Sequence, residues 1–271
     1  MFPLKDDNPI FHRPYVTMLL IAINLLVWLW MSTRSPLDEQ LEVIEHGFIP
    51  ERIAQLRDPE LVVKVPIVAE TARIERWPGR QQPQAVQVVQ LSAAPTQILS
   101  TLLTSMFMHG GWMHVLGNMW FLWIFGDNIE DRLGPLLYLA FYLLGGLIAV
   151  ACHWAYNPHS AVPVVGASGA VATILGAYAV TFPRSRVRTL LMFGVITVVD
   201  FPALVWLAFW FFGQLISAFA SDDLGVAVWA HIGGFVAGAV LMPLLSFGAP
   251  PPGSNWSDEA DRHFTFSPPE R

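Results

Sequence analysis

The sequence predicts an all-α membrane protein: a bundle of six membrane-spanning helices with a long polar loop after the first. Three observations carry that prediction. Of the 271 residues, 54% are hydrophobic and only 13% charged, against about 25% charged in ordinary soluble domains. The apolar residues gather into runs long enough to cross a hydrocarbon core about 30 Å thick. The polar residues fall into blocks between those runs. The net charge of −6 leaves no basic footprint, which argues against a nucleic-acid partner and leaves the lipid bilayer as the surroundings. The single cysteine, Cys152, makes an intrachain disulfide impossible and reads as a small buried apolar residue.

The elements follow in order. Residues 1–13 read as a short polar tail, and Tyr15 to Ser32 as the first span. That span ends in Trp-Met-Ser-Thr-Arg without a small-x-small cleavage site, so it reads as an uncleaved anchor. Residues 35–97 form the long first loop. Within it, Pro36 to His46 places Leu37, Leu41 and Ile44 on one face. That is an amphipathic helix stopped by Gly47, lying on the membrane surface or packed on the bundle. Two valine-rich stretches, Glu60 to Glu70 and Ala85 to Leu91, bracket Trp77-Pro78-Gly79 and read as a hairpin-like insertion. Thr96 to Phe107 is apolar but short. The remaining spans are Trp112 to Phe125, Pro135 to Trp154, Ser168 to Phe182, Pro202 to Ala220 and Val226 to Phe247. Leu190 to Val199 is too short to cross and reads as an interfacial segment. Residues 248–271, rich in proline and charge, read as a disordered tail. Residues 14–247 thus make one membrane domain. Arg132, Arg184, Arg186 and Arg188 follow even-numbered spans, whereas loops 155–166 and 221–225 carry no Lys or Arg. Both termini are then cytoplasmic, and the long loop lies outside.

Polar side chains inside spans are expensive and mark function by default. His114 and Asn118 share a face of the second span, being four apart. Ser168 opens the fourth span in Gly166-Ala167-Ser168-Gly169, and His231 sits in the sixth. His114, Ser168 and His231 each precede the inner end of their span by roughly 20–25 Å at 1.5 Å per residue. All three therefore fall at one level, roughly 5–10 Å below the outer surface. Ser168 has two readings: a small residue for close helix packing, or a nucleophile activated by a base. Three polar positions in one layer favour the second. His231 is the only base at that depth other than His114, and with no carboxylate at the level the economical reading is a Ser–His dyad. Asn118 and His114 can donate to an oxyanion. Gly233, Gly234 and Gly238 would let the sixth span press on Gly169, Ala170 and Ala172 of the fourth.

The ordered set His114-x-x-x-Asn118, Gly166-Ala167-Ser168-Gly169 and Ala230-His231-x-Gly233-Gly234-x-x-x-Gly238 resembles the rhomboid intramembrane serine proteases of the bacterial six-span form. The run Met106 to Arg132, with Phe125-Gly126 and Glu130-Asp131-Arg132, is similar too. The similarity covers residues 10–34 and 98–247. It implies Ser168 as nucleophile and His231 as general base and acid. It implies an oxyanion hole from the Asn118 and His114 side chains and the Ser168 backbone N–H. Its implied substrates are single-pass transmembrane proteins, cut near the outer membrane boundary, with no metal and no cofactor. The implied location is the bacterial inner membrane. Three departures stand out. Ser100 and Thr101 replace a Trp-Arg pair of some members, Ala172 replaces a tyrosine that stacks on the base, and residues 58–95 lengthen the first loop. His231 must therefore be positioned by other packing. Trp206, Phe209 and Trp210 of the fifth span are read either as a lateral substrate gate or as lipid-facing bulk.

Other functions fit less well. His109 is five residues before His114, and no His-Glu-x-x-His is present, so a metalloprotease is disfavoured and His109 reads as structural. Asp200 reads as a cap for the fifth span, and Asp127, Glu130, Asp131 and Arg132 as a structural ion network. A channel would line its whole path with charge, whereas polar groups here gather in the outer half. A catalytically silent relative that binds or escorts membrane clients would be expected to lack Ser168 or His231, and both are present.

Overall fold

The structure, a computed structural model, describes residues 1–68, 86–193, 195–220 and 227–246. The molecule is mostly helical. The helices are α1 (Tyr15–Met31), α2 (Pro36–His46), α3 (Pro95–Thr104), α4 (Trp112–Leu133), α5 (Pro135–Tyr156), α6 (Ser168–Thr181), α7 (Ala203–Ala220) and α8 (Val228–Leu245). Of these, α5 and α8 are long and apolar enough to cross a membrane, and α1, α6 and most of α7 are shorter apolar helices.

Helix α6 is the axis of the bundle. Every residue from Gly169 to Ala179 is buried, and α8, α5, α4 and α7 all pack against it. A helix with no exposed face needs small residues, and α6 supplies Gly, Ala and Ser at its first three positions. The match with α8 is backbone on backbone: a Cβ at Gly234 would collide with the Gly169 carbonyl, and one at Gly238 with the Thr173 carbonyl. Gly233 points elsewhere, toward Cys152 of α5, and the nearest atom to a Cβ on Gly169 is Ala149, also on α5. The small residues thus serve two interfaces at once, not the single fourth-to-sixth contact that spacing suggests.

Helix α4 runs through Asp127, Glu130 and Asp131 to Leu133. Those carboxylates bond mainly to backbone amides. Both Glu130 oxygens accept from the first turn of α1, at 2.9 Å from the Val16 N–H and 2.7 Å from the Thr17 N–H. Pro14 at the N-cap of α1 has no side-chain acceptor to offer, so a buried glutamate from a distant helix does the capping. Asp131 accepts from the backbone N–H of Phe11 and of His12, and sits 2.8 Å from His12 Nδ1. The expected ion network is in fact an anion-to-amide clamp.

Residues 1–13 are more than a tail. Phe2–Asp6 forms β1, which pairs with β4 (Arg186–Phe193), itself paired with β5 (Val195–Pro202) in an antiparallel sheet of order β1-β4-β5. The stretch read as one interfacial segment, Leu190 to Val199, is therefore two strands of a hairpin. Asp200 does not cap α7; it faces Arg188 across the hairpin, 3.1 Å from Nε. Asp6 accepts from Tyr178 Oη and from Asn128 Nδ2, which ties β1 to α6 and α4. Burial is the main cause that raises the Asp6 carboxyl to about 6, with Asp7 adding to it.

In the first loop, Val63–Val68 (β2) and Val86–Leu91 (β3) pair antiparallel in the expected hairpin; its tip, with Trp77-Pro78-Gly79, lies outside the described residues. Ile44, Ile49, Val63, Val65 and Ile67 make a small core of their own. Helix α2 begins at Ser35, whose Oγ accepts from the Asp38 N–H at 3.2 Å. It turns Ile44 into that core and leaves Leu41 exposed. The tail after residue 246 and the segment 221–226 lie outside the described residues.

Candidate active site

The site is built at the start of α6. The chain enters it through Pro163 to Ala167, and this entry is fastened from three sides. Val164 and Phe48 exchange backbone hydrogen bonds at 2.7 and 3.0 Å, the Gly166 N–H donates to the Ser105 carbonyl at 2.9 Å, and the Ala167 N–H donates to His109 Nε2 at 3.4 Å. Gly166 has φ +129°, a conformation that disfavours other residues. A Cβ there would also lie 2.7 Å from His114 Nε2. Glycine is thus required twice over, by the backbone and by the ring beside it.

Ser168 is the first residue of α6, so its N–H and the next two have no intrahelical acceptor. Its hydroxyl lies 2.8 Å from His231 Nε2 on α8. The backbone contact of Gly234 with Gly169 brings the two helices close enough for that bond. The other imidazole nitrogen, Nδ1, is 2.8 Å from Gln214 Oε1 on α7. Trp210, one turn earlier on α7, places its ring centroid 6.1 Å from that of His231. Ala172, fully buried, offers no ring to stack on His231; Trp210 and Gln214 hold the imidazole instead.

The two proposed oxyanion donors lie on α4. Asn118 is buried, and its Nδ2 has no hydrogen-bond partner among the described residues. The N–H of Gly110 lies 3.4 Å from His114 Nδ1, while His114 Nε2 is the atom that approaches Gly166. Beside His114, His109 is fully buried, its ring centroid 5.0 Å away and edge-on. Burial, then the neighbouring His114, pushes His109 down to about 3, so this ring is neutral and serves as an acceptor. A small cavity of about 20 Å³ adjoins Ser168, lined among others by Met106, Gly146, Val150, Ala170 and Ala230.

Of the aromatics read as a gate or as lipid-facing bulk, Trp206 is buried against Phe121 and Phe125, and Phe209, 64% exposed, fits the description of outward bulk. Among the described residues no cluster of three or more His, Cys, Asp or Glu could hold a metal ion. His153 lies in the last turn of α5, half-buried. Spacing did not single out Gln214. The signal was present, since it is the one amide inside an otherwise apolar run.

Comparison with known proteins converges on the same segment. The model of the rhomboid domain matches residues 96–247, more than half of the chain. Presenilin-associated rhomboid-like protein A, mitochondrial, from Danio rerio is 30% identical over 156 residues, which are 54% of this chain and 37% of that protein. RHOMBOID-like protein 12, mitochondrial, from Arabidopsis thaliana is 32% identical over 166 residues, 55% of this chain and 47% of that protein. Rhomboid-like protein 11, chloroplastic, also from Arabidopsis thaliana, is 41% identical over 69 residues, 26% of this chain and 24% of that protein. The chain thus spans less than half the length of these curated relatives. The domain match takes in α4, α6 and α8 and every side chain of the Ser168 layer, and the chain belongs to the rhomboid family.

Proposed function

We propose that this chain is an intramembrane serine endopeptidase that cleaves single-pass transmembrane proteins near the outer membrane boundary. The observation that carries the reading is the 2.8 Å contact between Ser168 Oγ and His231 Nε2. A serine hydroxyl is inert until a base takes its proton. Here His231 Nε2 accepts that proton as Oγ bonds to the scissile carbonyl carbon. The carbonyl oxygen becomes an oxyanion, met by the Ser168 N–H, Asn118 Nδ2 and His114. The unpartnered Asn118 amide supports this role, because a buried donor without an acceptor is expensive unless a transition state uses it. The imidazolium then protonates the leaving amine, the peptide C–N bond breaks, and an acyl-enzyme remains on Ser168. Water attacks that ester, and His231 again relays the proton. No metal or cofactor enters the scheme.

The small cavity beside Ser168 accommodates a side chain of about methyl size, which fits cleavage after small residues. A helical substrate carbonyl is shielded, so substrates with glycine or other weak helix formers at the cut are favoured. The reading further takes α1, α4, α5, α6, α7 and α8 as six spans, with residues 35–97 outside and both termini cytoplasmic. Residues 14–247 are then the membrane domain, in a bacterial inner membrane, and Trp206 and Trp210 belong to the wall through which substrate enters. The test is cleavage of a single-pass reporter by purified chain in liposomes. Cleavage at one site near the outer boundary is expected. Failure to cut, with no labelling of Ser168 by a fluorophosphonate, would favour a silent protein that binds or escorts membrane clients.

A further inference from the structure

We infer that Gln214 on α7 is a positioning residue for His231, making the arrangement a Ser–His–Gln relay in which the docked position of α7 sets the competence of the base. The inference rests on the serine-protease reading of the same site. A neutral imidazole carries one N–H. For Ser168 Oγ–H to donate to Nε2, that ring proton must reside on Nδ1. Gln214 Oε1, 2.8 Å from Nδ1, is an amide oxygen and can only accept. It therefore selects the Nδ1–H form and leaves Nε2 bare toward Ser168, at 2.8 Å. When His231 takes up the serine proton, the Nδ1–H···O bond becomes charge-assisted and strengthens. A carboxylate would do the same, but would bury a charge at a level where a neutral amide suffices.

The placement on α7 is as regular as the chemistry. Ala203, Trp206 and Leu207 are buried, and Trp210 and Gln214 continue that stripe at helical spacing. Trp206 packs on α4 through Phe121 and Phe125. Trp210 reaches His231 and Phe235 of α8, with a centroid separation of 6.0 Å to the latter. Gln214 is the polar end of this docking face. A displacement of α7 away from α8 lengthens the Gln214–His231 bond first and so releases the ring. The tyrosine missing at Ala172 is replaced, in this chain, by a hydrogen bond from a different helix.

The test pairs two readouts. In full-length protein labelled with [15N]histidine, the His231 ring shifts report the tautomer, with His231→Ala assigning the signals. Wild type is expected to show the Nδ1–H form. Gln214→Met, similar in length but lacking the acceptor, is expected to lose it, and Gln214→Glu to keep it. In the reporter assay, Gln214→Met is expected to lower kcat about 10–100-fold, the range seen for outer-shell partners that orient metal-bound imidazoles. KM is expected within two-fold of wild type, with rescue by Gln214→Glu. An unchanged tautomer in Gln214→Met, or an unchanged kcat in an active protein, would overturn the inference. The expected tautomer change in a chain that cleaves nothing would uphold Gln214 as the ring's holder and count against proteolysis instead.

Discussion

The two ends of α4 treat buried polar groups in opposite ways. At the Glu130 end, each acidic group described has neighbours waiting for it. Glu130 closes the first turn of α1, Asp131 gathers the amides of residues 11 and 12, and Asp6 receives the hydroxyl of Tyr178. At the Ser168 end, the polar groups are histidines, a serine and amides. There the Asn118 Nδ2 has no partner among the described residues. Satisfied groups hold a fold together; buried donors left open are expensive and persist where chemistry uses them. The Nε of Arg132 is also open at the Glu130 end, so the reactive end is marked by an open amide beside a serine–histidine contact, not by openness alone.

That contrast can be broken or sharpened by substitution, beginning with the largest effect. Asn118→Ala should lower kcat of reporter cleavage by about 10²–10³-fold, as loss of one oxyanion donor does elsewhere, with little change in thermal unfolding. A matching loss of Tm would make Asn118 a structural amide instead. Glu130→Ala should do the reverse. Removing an acceptor shared by the buried Thr17 amide and the half-buried Val16 amide should destabilise by about 2–3 kcal/mol, while the fraction that stays folded keeps normal kcat. Gly166→Ala should cost about 1–3 kcal/mol from the disfavoured φ and should also displace His114, lowering both stability and kcat. The smallest effect concerns β1. Asp6, raised to about 6, binds a proton more tightly when β1 is docked than when it is free. Docking is therefore strongest below the ordinary carboxylate range and weakens as pH rises through about 6. After correction for the intrinsic rise of amide exchange with pH, the β1 amides should lose protection between about pH 4 and pH 6, and Asp6→Asn should flatten that loss.

Much of this was legible in the chain, for reasons tied to particular residues. Helices α1, α5 and α6 begin where the apolar runs begin, at Tyr15, Pro135 and Ser168. The hairpin β2–β3 followed from valine-rich stretches. The Ser168–His231 pairing followed from depth, since a fixed rise per residue puts both at one level. The misses share one cause, a partner distant in sequence. The apolar segment Leu190 to Val199 gives no sign of its sheet because β1, the strand that pairs with β4, lies more than 180 residues away in sequence, as in Phe2 with Leu190. Glu130 was assigned to ions because the amides of Val16 and Thr17 carry no side-chain signature. Gln214 stands out by no spacing of its own because its partner, His231, lies on another helix, although the same cost that singles out His231 in a span applies to an amide.

The central claim is that Ser168 and His231 form a working dyad. The most direct measurement compares reporter cleavage in liposomes by wild type, Ser168→Ala and His231→Ala, each shown folded by its thermal transition. The account predicts cleavage at one position near the outer boundary by wild type. It predicts loss to background in both variants, on the order of 10⁴-fold or more. Equal cleavage by all three would contradict it and assign the activity to another nucleophile.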